Sequence, residues 1–445
     1  MSTIELGEIS SARDGPEPAG SPGFDRRLVR KVSFGLVAVL AVAGLAGSEV
    51  PEPRGVRPVW SVSIEQAQGT TLTRDGLFVH SSYGGSTTVT AYDLSTGAVR
   101  WRRGFDGTIG YLQAAESAGM LLVPTEGHVV QLPSVNDGSA FQAEFHRQTI
   151  AISTATGAEL WRTAGEPYTV GGETALLTEY TDRADLARMR LIRLRDHSTV
   201  WSHDTPGVSN HTVIPYERPD KIVTATDAGQ IRVYAYGTGM LVSSARVPWV
   251  KGSPDEGYFN DLSGNGEVLV VNRSRREVFE MSVYRTDTMT ELWRSRDTNG
   301  YAFPCGSALC LNDGGGLVAH DPMTGARRWR LDGAVNAFQV SPDRLVLGEG
   351  LDDGRNLLVD AESGRPVGGP VNGTLAWNDP RERSVLLLRS TVSPPDRTAV
   401  VRWDLGTGEQ TTIGTLGAMA GRPCSTVPGY LACTIGDRYE IIAVM

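Results

Sequence analysis

The sequence predicts an all-β fold, a β-propeller built of four-stranded antiparallel blades. Three observations predict it. A unit of strand, Asp-x-x-Thr-Gly turn and tryptophan strand recurs along the chain, as VTAYDLSTGAVRWRR at residues 89–103 and LVAHDPMTGARRWR at 317–330. Successive copies lie about 36 to 60 residues apart, mostly near 40, a period typical of propeller blades. The last seven residues, YEIIAVM, read as a strand that stops before its turn and tryptophan, while residues 58–62, PVWSV, read as an orphan tryptophan strand. Joined, they complete one blade from both ends and leave no open sheet edge. An open solenoid would need capping units, and none is legible.

Each part of the unit has a physical reason. Val89, Thr90, Ala91 and Tyr92 alternate in the manner of a half-buried strand. Asp93 can accept backbone N–H bonds in the turn, and Gly97 can take the positive φ that other residues resist. Trp101 returns on the next strand, where its indole is expected to lie against neighbouring strands while the adjacent arginines stay wet. The same positions recur as Gly157 and Trp161; Trp201; Gly239; Trp293; Asp321, Gly325 and Trp329; Asp360 and Gly364; and Asp404 and Gly408, with Trp60 in phase. A residue type needed once per blade is a structural element, since a catalytic acid is needed once. The copy at 191–202, LIRLRDHSTVWS, is degenerate. Nine units can be counted, including the split one. The expectation is eight blades, with seven to nine compatible, and one degenerate unit short of a full blade.

Before the repeats come two other segments. Residues 1–31 are polar and lack apolar periodicity, as expected of a disordered cytoplasmic segment. Residues 32–47, VSFGLVAVLAVAGLAG, carry no charge and follow Arg26, Arg27, Arg30 and Lys31. As a helix they rise about 24 Å against a hydrocarbon core of roughly 30 Å, a mismatch that flanking basic side chains can absorb. Basic residues ahead of the apolar run keep the N-terminus in the cytoplasm. The reading is a single-pass signal anchor at 32–50 with an extracytoplasmic propeller at 51–445. The alternative is a secreted protein, cleaved after the small residues near Ala46.

Composition narrows the function. The net charge of −9 argues against a nucleic-acid partner. Only three of the 42 basic residues are lysine, which matches the codon bias of a high-GC bacterial genome. Cys305 and Cys310, and Cys424 and Cys433, are spaced for two local hairpin disulfides, which fits export; zinc ligation or free buried thiols are the other readings. The seven histidines (His80, His128, His146, His197, His203, His211, His320) show no metal spacing. Nucleophile-elbow and Walker motifs are absent. The acidic stretches at 255–257 and 351–354 read as turns, because they lack the alternating oxygens of a calcium loop. Two units are long, through 132–138 and through 273–277, and extra loop length on a rigid ring is where binding is commonly grafted.

The run Ala91-Tyr92-Asp93, Thr96-Gly97, Trp101, with its echoes at Thr156-Gly157, Trp161 and Thr324-Gly325, Trp329, resembles the quinoprotein-type (PQQ-like) β-propeller repeat family over about residues 55–445. In its enzymes the resemblance implies pyrroloquinoline quinone on the axis, between a tryptophan and a vicinal disulfide, beside a calcium held by carboxylates and an asparagine. This chain has no adjacent cysteines. The expectation is therefore a membrane-tethered, non-catalytic scaffold with no cofactor and no metal, binding an envelope protein or a small ligand. Its closest functional analogy is the propeller subunit of outer-membrane assembly machinery, although no lipobox cysteine follows the apolar run. The alternatives are a quinoprotein-type dehydrogenase and an envelope ligand sensor.

Overall fold

The structure, a computed structural model, describes residues 55–133, 140–216, 218–250, 257–276, 278–298, 300–348, 354–376, 383–418 and 424–445. The segment 1–31 and the apolar segment 32–50 lie outside the described residues. Among the described residues no helix is long and apolar enough to cross a membrane.

The described strands form nine four-stranded antiparallel sheets. In eight of them the strands pair in chain order: blade 1 spans 69–106, blade 2 113–164, blade 3 166–204, blade 4 208–246, blade 5 258–298, blade 6 303–332, blade 7 336–372 and blade 8 374–417. Blade 9 takes three strands from the end of the chain and its fourth, Val56–Ser63, from the beginning. Trp60 sits opposite Ile441 in that pairing, and Val56 opposite Val444. The two ends of the sequence therefore complete one sheet.

The ring has nine blades rather than the expected eight. The unit taken for degenerate is the reason. At its turn His197 adopts the left-handed backbone (φ 48°) that glycine adopts elsewhere, and Asp196 accepts bonds from the backbone and hydroxyl of Ser198. The turn closes without its glycine, and blade 3 keeps all four strands.

Alternation along the strands explains where the core lies. The second strand of each blade carries a run of buried side chains, as in Leu77-Phe78-Val79 or Val268-Leu269-Val270-Val271, because both sheet faces meet a neighbour there. Nine apolar clusters result, each shared by two successive blades. The last joins Ala432, Tyr439 and Ile441 of blade 9 to Leu77 and Val79 of blade 1. The first strands of blades 9, 1, 2 and 3 touch in succession, as do those of blades 4 to 7, which puts first strands at the hub and fourth strands at the rim. Turns within strand pairs one–two and three–four fall on one face of the ring. The two–three hairpins and the connections between blades fall on the other, called here the loop face.

The repeat tryptophans lie against a strand of the next blade, as Trp60 does on Tyr92 and Trp293 on His320, each at 5.5 Å between centroids. Each indole crosses to the turn of the next blade. Trp60, Trp101, Trp161, Trp201, Trp293 and Trp329 donate their Nε1–H to the carbonyls of Leu94, Thr154, Leu194, Tyr236, Pro322 and Ala361, at 2.7–3.1 Å. The glycine of that turn lies under the ring. At Gly97, Gly157, Gly239, Gly325 and Gly364 a Cβ would come within 2.5–2.7 Å of the indole, and φ is positive at all five. Gly408 instead packs on backbone, where a Cβ would meet the Val367 carbonyl oxygen at 2.2 Å. The turn aspartates order the loop: Asp93, Asp321 and Asp404 each accept two backbone N–H bonds, and Asp360 accepts one from Ser363.

Candidate binding face

The sequence marks the unit between Trp101 and Trp161 as over-long, and the structure shows where the extra length goes. The second and third strands of blade 2, Met120–Pro133 and Ala140–Ser153, have 14 residues each, against 8 and 7 in blade 1. Their outer neighbours pair only as far as Leu122 and Gln148. Beyond that the two strands continue alone as a ribbon on the loop face, with Gly127 opposite His146 and Val129 opposite Glu144. Glu126 takes left-handed backbone (φ 56°) at the point where the ribbon leaves the sheet. The hairpin tip at 134–139 lies outside the described residues.

The ribbon leans on blade 3, and Glu166 is the node that receives it. The His146 backbone N–H donates to Glu166 Oε2 at 2.6 Å, and the His146 Nδ1 lies 3.4 Å from the same oxygen. The Tyr111 hydroxyl, from the connection between blades 1 and 2, lies 3.2 Å from Glu166 Oε1 and 3.3 Å from the Pro167 carbonyl. Tyr111 also meets the His146 ring edge-on, at 6.1 Å between centroids. Phe145 packs on Tyr180 at 4.7 Å, and Arg147 pairs with Asp182. One strand further round, the Tyr168 ring lies 4.7 Å from His211 and its hydroxyl donates to the His211 carbonyl.

Burial keeps the aromatic side chains of this face uncharged. Burial, then the Glu166 carboxylate, pushes the Tyr111 phenol up; burial pushes Tyr180 up to about 12 and raises Tyr168. All three stay protonated at neutral pH and present neutral donors and ring faces. Burial alone pushes His211 down to about 4, so it too is neutral at that pH. On the ribbon beside this cluster stands Val129, 58 % exposed.

The other residues singled out in the sequence lie elsewhere. Cys305 pairs with Cys310 across the first hairpin of blade 6, and Cys424 with Cys433 within blade 9; all four are buried. Their sulfurs staple hairpins. They do not fit the quinone cradle that the resemblance implies, since neither disulfide joins adjacent residues. Among the described residues no three His, Cys, Asp or Glu side chains converge as a metal site. The acidic residues 255–256 and 352–353 lie outside the described residues. In the second long unit, Arg273 turns inward to the Pro248 carbonyl and the Ser282 hydroxyl. The arginines of blade 3 are answered by acids: Arg188 pairs with Asp204, and Arg190 with Glu179.

Residues 85–276 match the family model described as outer membrane protein assembly factor BamB. The repeats there are similar to PQQ-like propeller repeats. No curated protein sequence matches the chain. Among solved structures, BamB from Moraxella catarrhalis aligns at 14 % identity over 87 % of this chain and 99 % of its own, with a TM-score of 0.43. A eukaryotic initiation factor aligns at 13 % identity over 80 % of this chain and 90 % of its own, with a TM-score of 0.52. A europium-containing methanol dehydrogenase aligns at 13 % identity over 88 % of this chain and 94 % of its own, with a TM-score of 0.38. At 13 % identity and a TM-score of 0.52 the likeness to the initiation factor is one of fold, and fold alone does not assign activity.

Proposed function

We propose that this chain is a non-catalytic propeller, tethered to the cell membrane through residues 32–50 and displayed outside the cytoplasm, that binds an envelope protein through the loop face of blades 1–3. The observation that carries the reading is the ribbon of blade 2. It extends past its own sheet, is fixed at its base by Glu166, and presents Val129 beside neutral phenols. Exposed apolar and tyrosine surface on a rigid support suits protein recognition. The description of the matching family as an assembly factor supports a scaffold. The buried disulfides and the arginine-flanked apolar run support an oxidising, extracytoplasmic site.

The test is a photo-crosslinking residue at position 129 of the full chain in its host membrane. One reproducible envelope protein should be captured. With the crosslinking residue moved to position 111, on the same face but outside the ribbon, a variant in which a two-residue Asn-Gly turn replaces residues 126–147 should lose that capture while keeping both disulfides and its unfolding midpoint. Capture that survives this deletion would move the interface elsewhere on the ring. The reading also expects no turnover in a dye-linked dehydrogenase assay with added pyrroloquinoline quinone and Ca²⁺, and turnover there would reverse it.

A further inference from the structure

Two departures from the repeat meet on the opposite face, between blades 4 and 5. The turn joining the first two strands is two residues long in blades 1, 3, 6, 7 and 9, but six, 215–220, in blade 4. Ser243 stands at the tryptophan position of blade 4, opposite Val233, so no indole crosses to blade 5. Beside this junction lies a cleft of about 590 Å³, walled by that long turn and by two turns of blade 5, with Met323 of blade 6 at its end.

The walls are fixed by their own hydrogen bonds. The Thr286 hydroxyl lies 2.7 Å from the Gly266 carbonyl and 3.1 Å from that of Glu267, and its backbone N–H donates to the Glu267 carbonyl at 3.0 Å. These bonds tie the two turns of blade 5 together. The Ser243 hydroxyl donates to the Thr286 carbonyl and holds the same pair to blade 4. Among the described residues charge on the walls is balanced but unevenly paired. Lys221 pairs with Asp220, and Arg285 lies 3.6 Å from Asp287. Arg218 and Glu267, on opposite blades, have no ion-pair partner among the described residues. Pro215 and Met323 add apolar surface.

We infer that this cleft binds a small zwitterion, a molecule carrying a carboxylate and an ammonium on an apolar body, as α-amino acids do. Arg218 receives the carboxylate with the fork geometry that guanidinium offers. Glu267 receives the ammonium, and Met323 and Pro215 cover the apolar part. The site is independent of the protein-binding face, which lies on the other side of the ring.

L-leucine is the probe, titrated by calorimetry into the full chain in detergent. N-acetyl-leucine, which lacks the ammonium, and leucine amide, which lacks the carboxylate, are the comparison ligands. L-leucine should bind with a dissociation constant on the order of millimolar or tighter, and each comparison ligand about tenfold more weakly, one charge-assisted contact being lost. Arg218→Gln should weaken L-leucine and N-acetyl-leucine but not leucine amide. Glu267→Gln should weaken L-leucine and leucine amide but not N-acetyl-leucine. Both positions are exposed, so both variants should keep the parent unfolding midpoint. Absence of L-leucine binding at about 10 mM, tighter binding of either single-charge ligand, or binding indifferent to both substitutions would overturn the proposal.

Discussion

The junction between blades 1 and 2 and the junction between blades 4 and 5 solve the same problem differently. At the first, Trp101 lays its indole on Gly157 and donates to the Thr154 carbonyl at 3.0 Å. At the second, Ser243 reaches the equivalent carbonyl, that of Thr286, with a hydroxyl. Met289 then takes the turn's left-handed position (φ 56°) in the glycine's place and buries its side chain in the shared core. The hydrogen bond survives and the indole does not. What the repeat retains at both junctions is a donor for one buried carbonyl, because leaving that group unpaired costs more than the bond itself gains. The indole adds apolar burial, and it requires a glycine beneath it.

The comparison is broken most directly by removing the donors. Trp101→Ala should destabilise the ring by about 3–5 kcal/mol, the usual range for deleting a buried tryptophan. Ser243→Ala should cost about 1 kcal/mol, a hydrogen bond with little burial behind it. Urea unfolding followed by far-UV circular dichroism measures both. Equal costs would show that the indole's burial contributes nothing beyond its N–H.

The glycine under the indole sharpens the point. Gly157→Ala meets two penalties: about 1–2 kcal/mol for a side chain in left-handed backbone, and about 1–3 kcal/mol for overpacking against Trp101, whose ring atoms lie 2.7 Å from the new Cβ. Gly84→Ala shares the positive φ of 60° but has nothing within 4 Å, so only the first penalty applies. The difference between the two midpoints isolates the close approach of the indole from backbone strain.

The parts that were legible in the sequence are those the chain writes locally. Tryptophan, turn aspartate and glycine sit within nine residues of one another, and their repetition gives the ring, its blade unit and its latch at Trp60. The cysteine hairpins are legible for the same reason, since five and nine residues bracket a single turn. What was not legible depends on neighbours in space. Nothing within residues 89–103 says that Trp101 belongs to the next blade's turn. His197 hides a complete blade because a histidine in left-handed backbone does glycine's work without glycine's signature. The 60-residue spacing from Trp101 to Trp161 marks an insertion but not its lean onto blade 3. Tyr111 and Glu166 are 55 residues apart and come from different blades, so no local pattern joins them. The cleft beside Ser243 shows in sequence only as a missing tryptophan.

The smallest expected effect concerns acid. Blade 6 opens its turn with Asp321, whereas blade 5 has Arg285 at that place. Arg328 beside Asp321, helped by the N–H groups of Thr324 and Met323, holds the carboxyl down to about 2 from its ordinary 3.8. A carboxyl depressed on folding stabilises the fold above its unfolded pKa, and that contribution is lost as pH falls through the folded value. The window for Asp321 therefore runs from about 4 down to about 2. Because the turn is near the surface, solvent screens the effect and it should be small. Asp321→Asn should lower the unfolding midpoint at neutral pH and flatten its fall between pH 4 and pH 2. Hydrogen exchange of the Gly325 amide, which donates to the Asp321 carbonyl at 2.9 Å, should quicken relative to a pH-matched Asn variant as that window is crossed. The Met289 amide donates to the carbonyl of Arg285 in the same way, at 2.8 Å, but with Arg285 in place of the aspartate no carboxylate orders that turn from its first position, so its protection should change less across the window. If both amides lose protection together, the two junctions open as one unit, and the indole and the hydroxyl are equivalent in the acid response as well.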